Sequence, residues 1–103
     1  MAIYKLVFDG VMVKQLQKTA KNNQAKQIIT RMLDKIEENG PDAGKLIDSK
    51  LFIYEAKSKR PPIRVYFKHN TDNEIYVFEF EMKTSEKEQQ KTIERIKGKL
   101  SKT

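Results

Sequence analysis

The chain has no cysteine and a single histidine, which excludes thiol catalysis and a cysteine-based zinc site and is compatible with a reducing compartment. No apolar run approaches the ~20 residues of a membrane span, and the N-terminus lacks the basic stretch, long apolar core and small-residue cleavage site of a signal peptide. A soluble cytoplasmic protein is the expectation. There is no glycine-rich phosphate loop, no histidine paired with Asp or Glu at metal-ligand spacing, and no nucleophilic triad, which argues against a nucleotide-dependent enzyme or a hydrolase. Repeats, linkers and low-complexity tracts are also missing.

What remains is 103 residues, enough to bury one core without disulfides or metal, so a single domain is expected. Against 14 Asp and Glu stand 21 Lys and Arg, a net charge of +7 with a pI near 9.6. That balance favours a polyanionic partner, whether RNA, DNA or an acidic protein, without choosing among them.

The centre of the chain reads as three strands. Leu51 to Lys57, Ile63 to His69 and Glu74 to Met82 are largely β-branched or aromatic. The first two are separated by Ser58 to Pro62 and the last two by Asn70, Thr71, Asp72 and Asn73, residues suited to tight loops. The unit is an antiparallel meander. With the four-residue loop setting the pairing, Arg64 is expected opposite Glu79 and Tyr66 opposite Val77, with Tyr54 and Ala56 on the same face; a slip of one residue reverses the faces.

Before the meander, Tyr4, Leu6 and Phe8 alternate as a half-buried strand, and Asp9 is placed to cap a helix beginning just after it. Met12, Val13, Leu16 and Ala20 recur at helical spacing, and after the polar Lys21 to Asn23 a longer helical pattern, Ile28, Ile29, Met32, Leu33 and Ile36, stops at Gly40 and Pro41. The two form a helical hairpin. Asp42 to Lys50 is expected to be a connection with Leu46 and Ile47 turned inward. After the meander, Ser85 with Glu88 three residues on predicts a capping box for a helix from about Glu86 to Lys99, with Ile93, Ile96 and Leu100 as its buried edge. Lys83, Lys87, Lys91 and Arg95 recur every four residues as a basic stripe.

This succession of a first strand, a helical hairpin, then Leu51-Phe52-Ile53-Tyr54-Glu55-Ala56-Lys57, the loop, Ile63-Arg64-Val65-Tyr66-Phe67 and Phe80-Glu81-Met82-Lys83-Thr84 before a helix resembles the RelE/ParE toxin superfamily, most nearly its phage-type HigB branch. The resemblance covers nearly all of residues 1–103. It implies an α+β RelE-like domain, with the meander joined to the first strand in one sheet and a C-terminal helix. It also implies a toxin that enters the ribosomal A site and cuts messenger RNA through the 2′-hydroxyl without metal or small-molecule cofactor. Its partners would be a cognate antitoxin, messenger RNA and ribosomal RNA, with no membrane.

By that resemblance Arg64 matches the family arginine that clamps the scissile phosphate, since guanidinium offers paired donors of the right geometry. Lys57 would neutralise phosphate or position the ribose, and Lys83 would transfer a proton or stabilise charge. Lys59, Arg60, Lys68, Lys87, Lys91 and Arg95 would meet RNA, and Tyr54 and Tyr66 would stack on a base if they share the Arg64 face. The chain departs from the branch at Glu55, where some members have lysine, at Met82, and in having neither Tyr nor His after Thr84. A carboxylate at Glu55 repels RNA unless it is paired or serves as base.

Plainer roles stand beside each of these. Arg64 paired with Glu79 across the hairpin would contribute about 0.2–1 kcal/mol. The basic runs would be solvated faces, His69 a surface residue beside a turn, and the tyrosines half-buried sheet residues. Two other functions remain open: a gyrase-directed toxin on the same fold, and a non-catalytic member that binds RNA or protein.

Overall fold

The computed structural model describes residues 3–59, 62–70, 72–82 and 85–101. In order it contains β1 (Lys5–Phe8), α1 (Gly10–Thr19), α2 (Asn23–Asn39), a 3-10 turn (Gly40–Ala43), β2 (Lys45–Asp48), β3 (Ile53–Lys57), β4 (Ile63–His69), β5 (Glu74–Met82) and α3 (Glu86–Ser101). The five strands make one sheet ordered β1-β5-β4-β3-β2. β1 runs parallel to β5, and the remaining pairs are antiparallel.

Local chemistry accounts for the helix ends. Asp9 accepts the Val11 N–H at 2.9 Å and starts α1, Asn22 accepts the Ala25 N–H and starts α2, and the Ser85 hydroxyl accepts the Glu88 N–H ahead of α3. α2 ends at Gly40, whose φ is 59°. Beyond the reach of β1, the backbone of β5 at Phe80 is met by Gln15 of α1: its amide donates to the Phe80 carbonyl at 2.8 Å and its carbonyl accepts the Phe80 N–H at 2.9 Å.

The sheet lies between two helical layers. On one face Met12, Ile29, Met32 and Ile36 of α1 and α2 pack on Ala56, Ile63, Val65, Phe67, Ile75 and Val77, with Tyr4, Leu6 and Phe8 joining as their alternation predicts. On the other, Ile96 of α3 packs on Ile53, Tyr66 and Phe78, flanked by Ile93 and Leu100. β4 is therefore buried on both sides, which is why it reads as an almost continuous apolar run. No helix among the described residues is long and apolar enough to cross a membrane.

Three expectations are corrected. The stretch read as a connection holds a fifth strand, β2, paired to β3 through Lys45 opposite Glu55 and Leu46 opposite Tyr54. Four residues are too few for a period to show. Leu46, expected inward, is 42% exposed on this edge strand, while Ile47 packs beneath α3.

The register of the meander also differs. Arg64 lies opposite Glu81 and Tyr66 opposite Glu79, whereas Phe67 lies opposite Val77, so Phe78 is an extra residue in β5, a bulge. It puts Phe80 among the α1–α2 core and Glu79 and Glu81 on the α3 side.

The third correction concerns faces. Tyr54 and Ala56 pair with Phe67 and Val65 and face α1 and α2, opposite to Arg64 and Tyr66.

Candidate functional site

Arg64 sits in β4 directly opposite Lys57 of β3, on the face that α3 covers. It is 6% exposed. Its Nε lies 3.9 Å from Glu55 Oε2, too far for a hydrogen bond, and both Nε and Nη1 are buried with no hydrogen-bond partner among the described residues. An arginine left with idle buried donors is costly, and such donors are what a phosphate or carboxylate would satisfy. Arg64 lines a cavity of about 310 Å3 with Lys57, Ser58, Lys59, Pro62 and Ile63.

Three carboxylates share this face, and each is held by a side chain of α3. Glu55, 3% exposed, accepts the Gln89 amide at 2.5 Å and has Lys57 Nζ at 3.6 Å. Glu81 accepts the Tyr66 hydroxyl and the Thr92 hydroxyl, each at 2.6 Å. Glu79, 2% exposed, takes the Arg95 guanidinium at 2.6 and 3.4 Å. Gln89, Thr92 and Arg95 recur every three residues and so occupy one face of α3. This polar layer was not anticipated from the sequence. Its signal was the i, i+3 spacing on α3 opposite Glu79 and Glu81, which the basic-stripe reading of the helix obscured.

The remaining candidates divide. The plain role expected of Arg64, pairing with Glu79, does not occur: Arg95 occupies Glu79. Arg95 is thus anchored at its tip, its side chain 54% exposed, which sets it apart from the stripe of free cations expected there. Lys87 and Lys91 are exposed, with Lys91 3.6 Å from Glu88. Lys59 joins Arg64 in the cavity, whereas Lys68 lies towards the other end of β4 in a cavity of about 330 Å3 with Asp9, Asn70, Tyr76 and Lys99. Lys83 and Arg60 lie outside the described residues.

Neither tyrosine offers a stacking surface beside Arg64. Tyr54 stacks on Phe67, centroids 5.5 Å apart, on the opposite face. Tyr66 is wholly buried, and burial together with the Glu81 carboxylate pushes its phenol well above the usual value, so it stays protonated. His69 is engaged at the far end of β4, with Nε2 2.9 Å from the Asp72 carbonyl and its ring edge-on to Tyr4. Among the described residues no group of three or more His, Cys, Asp or Glu is placed to hold a metal ion.

No family model and no curated protein matches the sequence. Solved structures do match in shape. The isolated Escherichia coli RelE toxin superposes with a TM-score of 0.65 at 18% identity, covering 90% of this chain and 98% of that one. A doubly substituted RelE in the free state gives 0.67 at 18% identity, over 93% and 99%. The toxin–antitoxin complex RelBE from the same organism gives 0.63 at 18% identity, over 80% and 99%. With its mixed five-stranded sheet between a helical pair and a C-terminal helix, the chain has the fold of the RelE toxin.

Proposed function

We propose that this chain is the toxin of a toxin–antitoxin pair, of the HigB-like branch of the RelE/ParE superfamily, and that it cuts messenger RNA in the ribosomal A site. The observation that carries this reading is the buried guanidinium of Arg64, with two idle donors, lining a cavity with Lys57 and Lys59 and adjoining a buried carboxylate. The roles follow from charge. Arg64 holds the scissile phosphate and Lys57 offsets the charge that builds on it. Glu55 takes the proton from the ribose 2′-hydroxyl as that oxygen attacks phosphorus, and Lys83 returns a proton to the departing 5′-oxygen, leaving a cyclic phosphate. Glu55 is bound to Gln89, so this step requires the first turns of α3 to give way. The cognate antitoxin would bring acidic and apolar segments to the basic surface.

A non-catalytic binding module is favoured by one observation: α3 closes over Glu55, Glu79 and Glu81 and carries neither Tyr nor His. The test is induction in growing bacteria with mapping of transcript 5′ ends. Cleavage inside translated codons, reduced about 10²–10³-fold in Arg64→Ala with its melting curve intact, is the expected result. Growth arrest with whole transcripts would turn the reading towards gyrase, and no arrest towards a binding module.

A further inference from the structure

Three cavities adjoin one another, and every charged residue described in their walls is a cation. The Arg64 cavity shares Lys57, Ser58 and Lys59 with one of about 400 Å3 between α2 and the end of β3. There Arg31 and Lys35, one helical turn apart on α2, form the far wall, and Ile28 and Met32 lie in the floor. Arg31 also lines a shallower cavity of about 390 Å3 with Lys26, nearer the start of α2. The trough so formed passes from the α3 face of the sheet, around the end of β3, to the outer side of α2. Its charged residues are Arg64, Lys57, Lys59, Lys35, Arg31 and Lys26, and among the described residues no carboxylate lines any part of it.

We infer that this trough is the track of an extended single strand of RNA, carrying the nucleotides that flank the phosphate held by Arg64. The inference rests on the reading of the chain as an RNA-cutting toxin and extends it beyond the cleavage centre. On α2 Arg31 and Lys35 lie on one face about 6 Å apart along the axis, at 1.5 Å per residue, so adjacent phosphates of one strand can meet them, and Lys26 is reached only where the path turns to the outer side of the helix. Among the described residues no aromatic side chain lines the trough, so it follows the backbone and reads no bases. A path that turns around the end of a strand suits a flexible single strand better than a stiff duplex.

The test is binding of a 2′-O-methylated 12-nucleotide RNA, which lacks the attacking hydroxyl, measured by fluorescence anisotropy over a range of salt. The comparison is between Arg31→Ala/Lys35→Ala and Lys14→Ala/Lys18→Ala. The second pair removes the same charge from a separate α1 cavity. The first double variant is expected to bind about tenfold more weakly, and the slope of log K against log salt to fall by about 1.4, since each lost phosphate contact on a single strand removes about 0.7. The second should change neither, and both should melt as the wild type does.

Equal losses in the two variants would mean that net charge alone attracts RNA, and an unchanged Arg31→Ala/Lys35→Ala would remove α2 from the path; either overturns the track. Poly-L-glutamate of equal charge displacing the RNA as well as unlabelled RNA does would mark the trough as a protein-docking surface instead. The cleavage reading fails separately: it falls if transcripts stay whole on induction, whatever the oligonucleotide does.

Discussion

At the scale of single residues, Arg64 and Gly40 show two ways in which position overrides type. Arg64 was a candidate through the resemblance, but the lack of hydrogen-bond partners at two of its nitrogens was not legible, since it depends on the nearby carboxylates Glu55 and Glu81 being bound to Gln89, Tyr66 and Thr92. Gly40 was legible as a helix stop. Its φ of 59° is a conformation that side chains rarely adopt, and the ring of Tyr4 fills the space where a Cβ would stand. Gly40→Ala is therefore expected to lower stability by about 2 kcal/mol or more. Gly98, inside α3 with open space around it, should respond in the opposite sense, Gly98→Ala adding about 0.5–1 kcal/mol. Urea unfolding of the two variants checks both signs, and a loss below about 0.5 kcal/mol for Gly40→Ala would mean that Tyr4 swings aside at little cost.

Among the elements, α3 is the one whose existence was plain and whose attachment was not. The capping serine and the apolar residues Ile93, Ile96 and Leu100 mark a helix with one buried edge. Its polar ties come from distant parts of the chain: Lys99 reaches Asp9 at 3.2 Å and Lys97 reaches Asp48 at 3.1 Å. Burial alone would raise the Asp9 carboxyl, but the Val11 N–H, the Tyr76 hydroxyl and Lys99 together hold it below its usual 3.8. Asp48 is held below 3.8 by the Leu51 N–H and by Lys97. Since both folded values lie under the unfolded one, this stabilisation is complete above about pH 4 and drains away as pH falls through the lowered values. Acid is thus expected to loosen α3 early. Amide exchange across residues 86–101 should accelerate below pH 4 before that of β4, and Asp9→Asn should flatten this dependence; simultaneous loss of α3 and β4 would show that these ties do not govern the helix.

At the scale of the whole molecule, Tyr66 reports on the integrity of the sheet. It lies in the central strand, wholly buried, and its phenol is pushed above the ordinary 10.0 by burial and then by Glu81. The folded value exceeds the unfolded one, so stability is full below pH 10 and declines as pH rises beyond it. Alkaline unfolding should accordingly be global and coincide with the appearance of Tyr66 phenolate. Tyr66→Phe should lose stability at neutral pH, because Glu81 forfeits a donor, and lose less than the wild type between neutral pH and about pH 11. An identical alkaline decline in both proteins would assign the transition to other groups.

The three helices and the strands other than β2, the helix-end signals at Asp9, Gly40 and Ser85, the buried face of the first strand and the excess of cations were determined by the sequence alone, because periods, caps and charge counts are properties of neighbours along the chain. The tertiary structure decided which side each residue of the meander faces. One inserted residue, Phe78, moves Glu79 and Glu81 to the Arg64 side and leaves Phe80 in the opposite core, and the pattern Phe78-Glu79-Phe80-Glu81 is equally regular in either phase. It also decided which cations are engaged. Arg95, by spacing one member of a basic stripe, is bound to Glu79, whereas Arg31 and Lys35 of α2 line a trough with Lys57 because the end of β3 is folded against that helix. Pairings of this kind join residues far apart in the chain, and no local pattern carries them.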